Sequence, residues 1–158
     1  MYINLNKTVD ENLMALFIET NITPLTLDQV RFTNVLKRNN AGTNNTNITM
    51  QAINNMWYNG SATYIYTRLV PGSEVNGVPP THFEGPSYGV GNAQDFLKNV
   101  IAPAWLLHPD AVAISGQMPT TPGEQVTLRM SVPVDSKLYR PLLVGGVWLI
   151  TVKWTGTP

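Results

Sequence analysis

The chain has 158 residues, 43% of them hydrophobic and 9% aromatic, enough for one ordinary domain or two very small ones with a buried core. Ten Lys plus Arg balance ten Asp plus Glu, and the charged share of 13% is about half the usual ~25%. With no Lys/Arg-rich run, the charge pattern argues against nucleic acid and anionic membranes as partners. The absence of cysteine removes disulfides, thiolate metal sites and a Cys nucleophile together.

The expected elements follow in chain order. The acidic and polar start "MYINLNKTVDENL" does not read as a secretory signal, and no apolar run approaches the roughly 20 residues of a membrane span, so synthesis in a cytoplasm is expected. Asp10 or Thr8 caps a helix over about residues 10–20, with Leu13, Met14, Phe17 and Ile18 at helical spacing and Pro24 ending it. "PLTLDQVRFTNVL" then opens a strand with Val30, Phe32 and Val35 inward, and the polar "KRNNAGTNNTN" forms a turn. Ile48, Met50 and Ala52 share one face of a second strand by period-2 alternation. After the Asn-Gly turn in "YNGS", Ala62, Tyr64 and Tyr66 share one face of a third.

Residues 71–91, "PGSEVNGVPPTHFEGPSYGVG", are rich in Pro and Gly with little periodicity, and read as a linker or a long surface loop. Beyond them Asn92 or Asp95 caps a second helix, with Phe96, Leu97, Val100 and Ile101 as its apolar face and Pro103 as its stop. Three strands follow. Val112 and Ile114 mark the first, Val126, Leu128, Met130 and Val132 the second, and Trp148, Ile150, Val152 and Trp154 the last.

The order helix, strand, strand, strand therefore occurs twice. "LTLDQVRFTN" falls on "LHPDAVAISG", "NITMQA" on "QVTLRM", and "NGSATYIYTR" on "GGVWLITVKW", with Asp28 on Asp110 and Gly60 on Gly145 or Gly146. The expected fold is α+β: a tandem duplication of an αβββ unit, giving two small antiparallel sheets each with one helix. Its divisions are 1–70 with the N-terminal arm, 71–91 as linker, and 92–158. A unit of roughly 60 residues buries only ~60% of its unfolded surface, so the halves are expected to pack together or against neighbours.

Several patterns invite an enzymatic reading and fail it. His108-Pro109-Asp110 resembles the tripeptide of J-domain cochaperones, but it precedes a β-alternating "AVAIS", so Asp110 is read as turning the backbone before a strand. His82, Glu84, His108 and Asp110 carry metal-binding atoms, yet one pair lies in the loop and the other at the start of a strand, so no metal is expected. Neither a G-x-S-x-G elbow nor a P-loop occurs, and "GPSYGVGN" lacks the lysine of a phosphate cradle. No catalytic residue and no cofactor is expected. Glu74, Glu84, Asp95 and Glu124 lie in loops or near a helix start, a poor source for a glycosidase carboxylate pair.

The first half also resembles a known kind of domain. Its "L-T-x-D-x-V" strand opening (Leu25–Val30), "N-T-x-[IV]-T" strand (Asn45–Thr49) and "Y-x-G-[ST]-x-x-x-x-Y-x-R" closing strand (Tyr58–Arg68) resemble the small repeat domains of virion structural proteins of large tailed bacteriophages. The resemblance covers about residues 10–69. The second half departs from it, with "PGEQVTL" and "VGGVWLITVKW" in the matching places. The resemblance implies a structural role in a virion, as a tail, baseplate or neck accessory or as a capsid decoration protein, with copies of itself and other virion proteins as partners. The expected interface residues are Tyr2, Ile3 and Leu5 of the N-terminal stretch and Val78, Pro79, Pro80, Phe83 and Tyr88 of the Pro/Gly loop, both read as lacking a partner in the repeat. The rival reading is a carbohydrate-binding module in which Trp57, Tyr58 and Tyr88 stack on sugar rings.

Overall fold

The computed structural model describes residues 3–20, 26–37, 46–53, 59–89, 91–140 and 146–156. Tyr2, Pro24, most of the "KRNNAGTNNTN" turn, and Trp57 and Tyr58 lie outside the described residues. The fold is α+β with two small sheets and few helices, and it divides into two compact units. Unit 1 comprises Met1–Leu69 together with Val134–Arg140, and unit 2 comprises Val70–Pro133 with Pro141–Pro158.

Unit 1 begins with helix α1 (Val9–Thr20). Thr8 and Glu11 close a reciprocal capping box: the Thr8 amide donates to Glu11 Oε2 at 2.7 Å and the Glu11 amide to Thr8 Oγ1 at 3.2 Å. Asn12, only 2% exposed, folds the preceding residues onto the helix, accepting from the Asn4 amide and donating to the carbonyls of Asn4, Lys7 and Thr8. Leu13, Met14 and Phe17 are buried, whereas Ile18, expected on the same face, is 44% exposed. They cover an antiparallel sheet of β1 (Val30–Lys37), β2 (Thr46–Ala52) and β3 (Ser61–Tyr66) in that order. Phe17 stacks on Phe32 with centroids 5.4 Å apart and meets Tyr64 edge-on at 5.2 Å. Val30, Phe32, Ile48 and Met50 complete the core, each buried side chain contributing about 1.5–3 kcal/mol. Past Thr33 the alternation of β1 breaks, because Asn34 adopts a left-handed conformation (φ 51°) and the register with β2 shifts there. Val35 is consequently only half-buried, and Leu36 is 61% exposed.

Unit 2 holds β4 (His82–Gly85), a helical stretch, and β5 (Ala113–Ser115), β6 (Gln125–Ser131) and β7 (Val147–Trp154). The sheet order is β4-β7-β6-β5, and β4 runs parallel to β7. The expectation of two purely antiparallel sheets is thereby corrected: the second is mixed, because the Pro/Gly-rich segment supplies a short strand. The helix also continues through Pro103. It passes from α2 (Ala93–Phe96) into a π-helical turn (Leu97–Ile101) and on to α3 (Ala102–Trp105), with helical dihedrals at each junction. Pro103 sits in the first turn of α3, where its missing N–H is tolerated, and the stop comes at Leu106 in left-handed geometry (φ 49°). Phe96, Leu97, Ile101 and Trp105 pack inward, with Leu128, Met130, Ile150 and Val152 buried on the sheet.

The Pro/Gly segment is bound into unit 2 by both tryptophans that face it. Trp105 Nε1 donates to the Pro80 carbonyl at 2.7 Å and Trp154 Nε1 to the Pro86 carbonyl at 2.8 Å. Gly89 lies against the Trp154 ring, where a Cβ would collide with the indole. Phe83 and Tyr88 both meet Phe96 edge-on, at 5.6 and 5.1 Å.

The pairing registers of the two meanders correspond. Phe32 pairs with Met50 and Met50 with Ala62, as Ile114 pairs with Met130 and Met130 with Trp148. Ile48↔Tyr64 and Thr46↔Tyr66 likewise match Leu128↔Ile150 and Val126↔Val152. This places Met50 on Met130, one alternation period beyond the Leu128 expected from sequence. The turn before each first strand also carries the same hydrogen bond, Gln29 amide to Thr26 carbonyl at 3.0 Å and Ala111 amide to His108 carbonyl at 3.1 Å. Asp28 and Asp110 occupy the same place in it. Before the closing strands, Gly60 (φ 80°) and Gly146 (φ 62°) both use the left-handed region.

Three glutamates titrate below their ordinary value of 4.5: Glu11 through the Thr8 amide, Glu124 through the Thr120 and Thr121 amides, and Glu84 through Lys153. Their bonds stabilise the fold fully above 4.5, where both states are ionised; as the pH falls below it the unfolded chain binds protons first, and stability drains away until the folded values are passed. Urea midpoints should fall across this acid range, and the combined Glu11→Gln, Glu84→Gln, Glu124→Gln variant should show a flatter acid limb. An unchanged limb would remove these carboxylates from the account.

Candidate functional site

A buried polar cluster of unit 1 lies at the end of β3, where Val134–Arg140, part of the connection between β6 and β7, runs alongside. Its inward positions follow the alternation of the strand. Tyr64, Tyr66 and Arg68 have the same parity, so the third side chain is a guanidinium where an apolar residue would continue the pattern. Arg68 is 3% exposed. Its Nε donates to Thr46 Oγ1 at 2.7 Å, and its Nη1 to the carbonyls of Ser136 at 2.8 Å and Val134 at 3.2 Å. Tyr66 Oη donates to the Lys137 carbonyl at 2.6 Å. The backbone adds a parallel bridge between Leu69 and Tyr139, the Leu69 amide donating to the Leu138 carbonyl and the Arg140 amide to the Leu69 carbonyl, both at 2.9 Å. Leu138 and Tyr139 are 3% and 2% exposed, and Lys137 Nζ reaches Asp10 Oδ1 at 2.6 Å.

The electrostatics follow from burial. Desolvation pushes the Tyr66 phenol well above its ordinary value, with Arg68 opposing, so it stays a protonated donor. Desolvation also draws the Arg68 guanidinium down, against the opposing effect of Tyr66, but an arginine starts so high that it remains charged. Both groups are fixed as donors aimed at main-chain oxygens. The arrangement binds main-chain oxygens of a segment that turns at Val134–Asp135 and bends at Lys137–Leu138 before its bridge at Tyr139.

Unit 2 has a counterpart. In the register correspondence Arg68 falls on Trp154, whose indole N–H donates to the Pro86 carbonyl just past β4. Each closing strand thus has a parallel neighbour at or beyond its end, one bridge in unit 1 and β4 in unit 2, and a side-chain N–H there binds a carbonyl of, or next to, that neighbour.

The expected interface residues are dispersed. Ile3 is half-buried and Leu5 is 39% exposed in the arm folded on α1. Pro79 lies against Gly72, while Pro80, Phe83 and Tyr88 have partners inside unit 2. Against the expectation of a loop without partners in its repeat, the Pro/Gly loop has Trp105, Trp154 and Phe96 as partners inside unit 2. Val78, 91% exposed, is the most exposed of the described large hydrophobic residues. Of the four residues considered for a metal, His82 and Glu84 are a surface pair 3.7 Å apart, whereas His108 is buried and its Nδ1 accepts from the Asp110 amide. Among the described residues no group of three or more His, Cys, Asp or Glu is placed to hold a metal ion. Sequence reasoning missed Arg68 as a site residue; its signal was a charge on the inward parity of a strand.

Residues 3–102 match a family of unknown function, DUF7941, and since the match spans more than half of the chain, the chain belongs to that family. No curated protein and no solved structure matches it.

Replacing Arg68 by Met keeps the stem and removes the donors, leaving the Val134 and Ser136 carbonyls and Thr46 without them. The loss should be roughly 1.5–3 kcal/mol in urea unfolding. Arg68→Lys, with one compact head for three acceptors, should lose less than Met but more than nothing. Equal stability of all three proteins would contradict this role.

Proposed function

We propose that the chain is a non-enzymatic structural component of a tailed-phage virion, a tail, baseplate or neck accessory, built from two diverged copies of one αβββ unit. One observation carries the reading. The motif residues behind the resemblance to virion repeat domains, Thr46 of the second strand and Tyr66 and Arg68 of the closing strand, meet in one place and hold a segment from elsewhere in the chain. The polar positions of the motif are thus used to hold a distant segment by its carbonyls, which supports an assembly role.

The duplication is supported by the shared registers, by the shared turn hydrogen bond at Gln29 and Ala111, and by the paired positive-φ glycines. Divergence explains the change from Arg68 to Trp154: both supply an N–H to a carbonyl, one for a buried polar site and one for a Pro-rich loop. The neutral net charge supports association, since copies do not repel one another. The carbohydrate alternative gains nothing from Tyr88, whose ring packs on Phe96.

Quantitative mass spectrometry of purified particles, scaled to the major capsid protein, tests the reading. A sub-stoichiometric but reproducible copy number is expected for a tail, baseplate or neck protein. Near-stoichiometric amounts would move it to the capsid surface, and absence from the particle would overturn the virion role.

A further inference from the structure

We propose that Asn76 is a site of spontaneous deamidation, at which the folded chain converts a side-chain amide into a carboxylate with water as the only co-reactant. The inference concerns the chain's own chemistry and stands apart from the virion reading. The sequence contains two Asn-Gly pairs, Asn59-Gly60 and Asn76-Gly77. Asn-Gly is the pair most prone to the reaction. Glycine has no side chain to shield its amide nitrogen and no Cβ to restrict the rotation that brings this nitrogen onto the neighbouring side chain.

The fold treats the two pairs differently. Asn59 and Gly60 are exposed, but the Gly60 carbonyl accepts from the Ala52 amide at 3.0 Å, and Ser61 next to it pairs with Gln51 in the β2–β3 ladder. Rotating the link between Asn59 and Gly60 therefore means opening the end of a hairpin.

Asn76 and Gly77 are also exposed, and neither makes a hydrogen bond with another described residue. Gly77 lies in the left-handed region (φ 105°), where a Cβ would meet no atom within 4 Å beyond its chain neighbours. Val78 beside it is 91% exposed. The anchors lie on either side: the Val75 amide donates to the Gly72 carbonyl at 3.2 Å, and Pro79 packs on Gly72. Asn76 and Gly77 thus form a loop tip that can turn without breaking a bond of unit 2, the kind of segment in which local opening costs least.

The chemistry closes on these atoms alone. The Gly77 main-chain nitrogen attacks Cγ of Asn76, and the new N–Cγ bond closes a succinimide ring. The bond from Cγ to Nδ2 breaks, and that nitrogen leaves as ammonia with the proton given up by Gly77. Water then opens the ring at either carbonyl, giving aspartate or isoaspartate, the latter with its main chain rerouted through the side chain. One amide and one water become one carboxylic acid, which ionises, and one ammonia. The product places a negative charge beside Val78 in a chain whose charges otherwise balance.

The test incubates the full folded chain in mildly alkaline buffer, alongside the same chain held in urea, and quantifies the peptides spanning Asn59 and Asn76 by mass spectrometry. Chromatography separates their aspartate and isoaspartate forms. In the folded chain, conversion at Asn76 should run several-fold ahead of conversion at Asn59, with both isomers formed, and in urea the two rates should converge. Asn76→Gln, whose longer side chain disfavours ring closure, should remove the product there and leave the rate at Asn59 unchanged. Equal rates at the two sites of the folded chain would overturn the proposal. So would aspartate without isoaspartate at Asn76, which bypasses the ring, or a lead of Asn76 that persists undiminished in urea, which would come from the flanking sequence and not from the fold.

Discussion

A buried guanidinium sets the terms for unit 1. Taking the charge of Arg68 out of water costs several kcal/mol unless hydrogen bonds replace its hydration. Thr46 supplies one acceptor and the backbone of 134–136 two more. Those carbonyls belong to residues far along the chain, so the buried polar cluster of the first unit is complete only with residues from the β6–β7 connection. Residues 1–69 alone would leave Arg68 without two of these acceptors and Tyr66 without its carbonyl partner. Residues 134–140 therefore belong to unit 1, although in the sequence they lie between two stretches of unit 2.

Unit 2 carries a different donor at the corresponding position. Its closing strand takes β4 as parallel neighbour, and Trp154 supplies the terminal N–H, with Gly89 kept small so that the ring can lie against the backbone. On the proposed duplication, the shared element is a parallel neighbour at the end of the closing strand, a single bridge at Leu69 and Tyr139 in unit 1 and the strand β4 in unit 2. Side-chain donors directed at main-chain oxygens tolerate such divergence, because every residue presents a carbonyl whatever its side chain.

Much of this fold was legible because it is periodic. The inward sets Ile48/Met50, Leu128/Met130/Val132 and Trp148/Ile150/Val152 follow from alternation alone, and α1 from its apolar spacing and cap. What escaped was non-local or too short to carry a period. Four residues of β4 inside a Pro/Gly-rich loop give no alternation to read, and their pairing with β7 is fixed by Phe83, Tyr88 and the tryptophans. Pro103 read as a helix stop because a proline inside a helix usually removes a hydrogen bond, whereas a π-helical turn places it at the start of a new segment. The buried polar site was half visible: its motif residues stood out, but nothing local revealed what they hold.

The most direct test is amide hydrogen exchange at Leu69 and Arg140, whose N–H groups form the parallel bridge. Protection comparable to the amides of β2 and β3 is predicted, falling at both sites together in Arg68→Met. Exchange at the rate of an open loop in the unsubstituted protein would contradict the account, since the segment would then not complete unit 1.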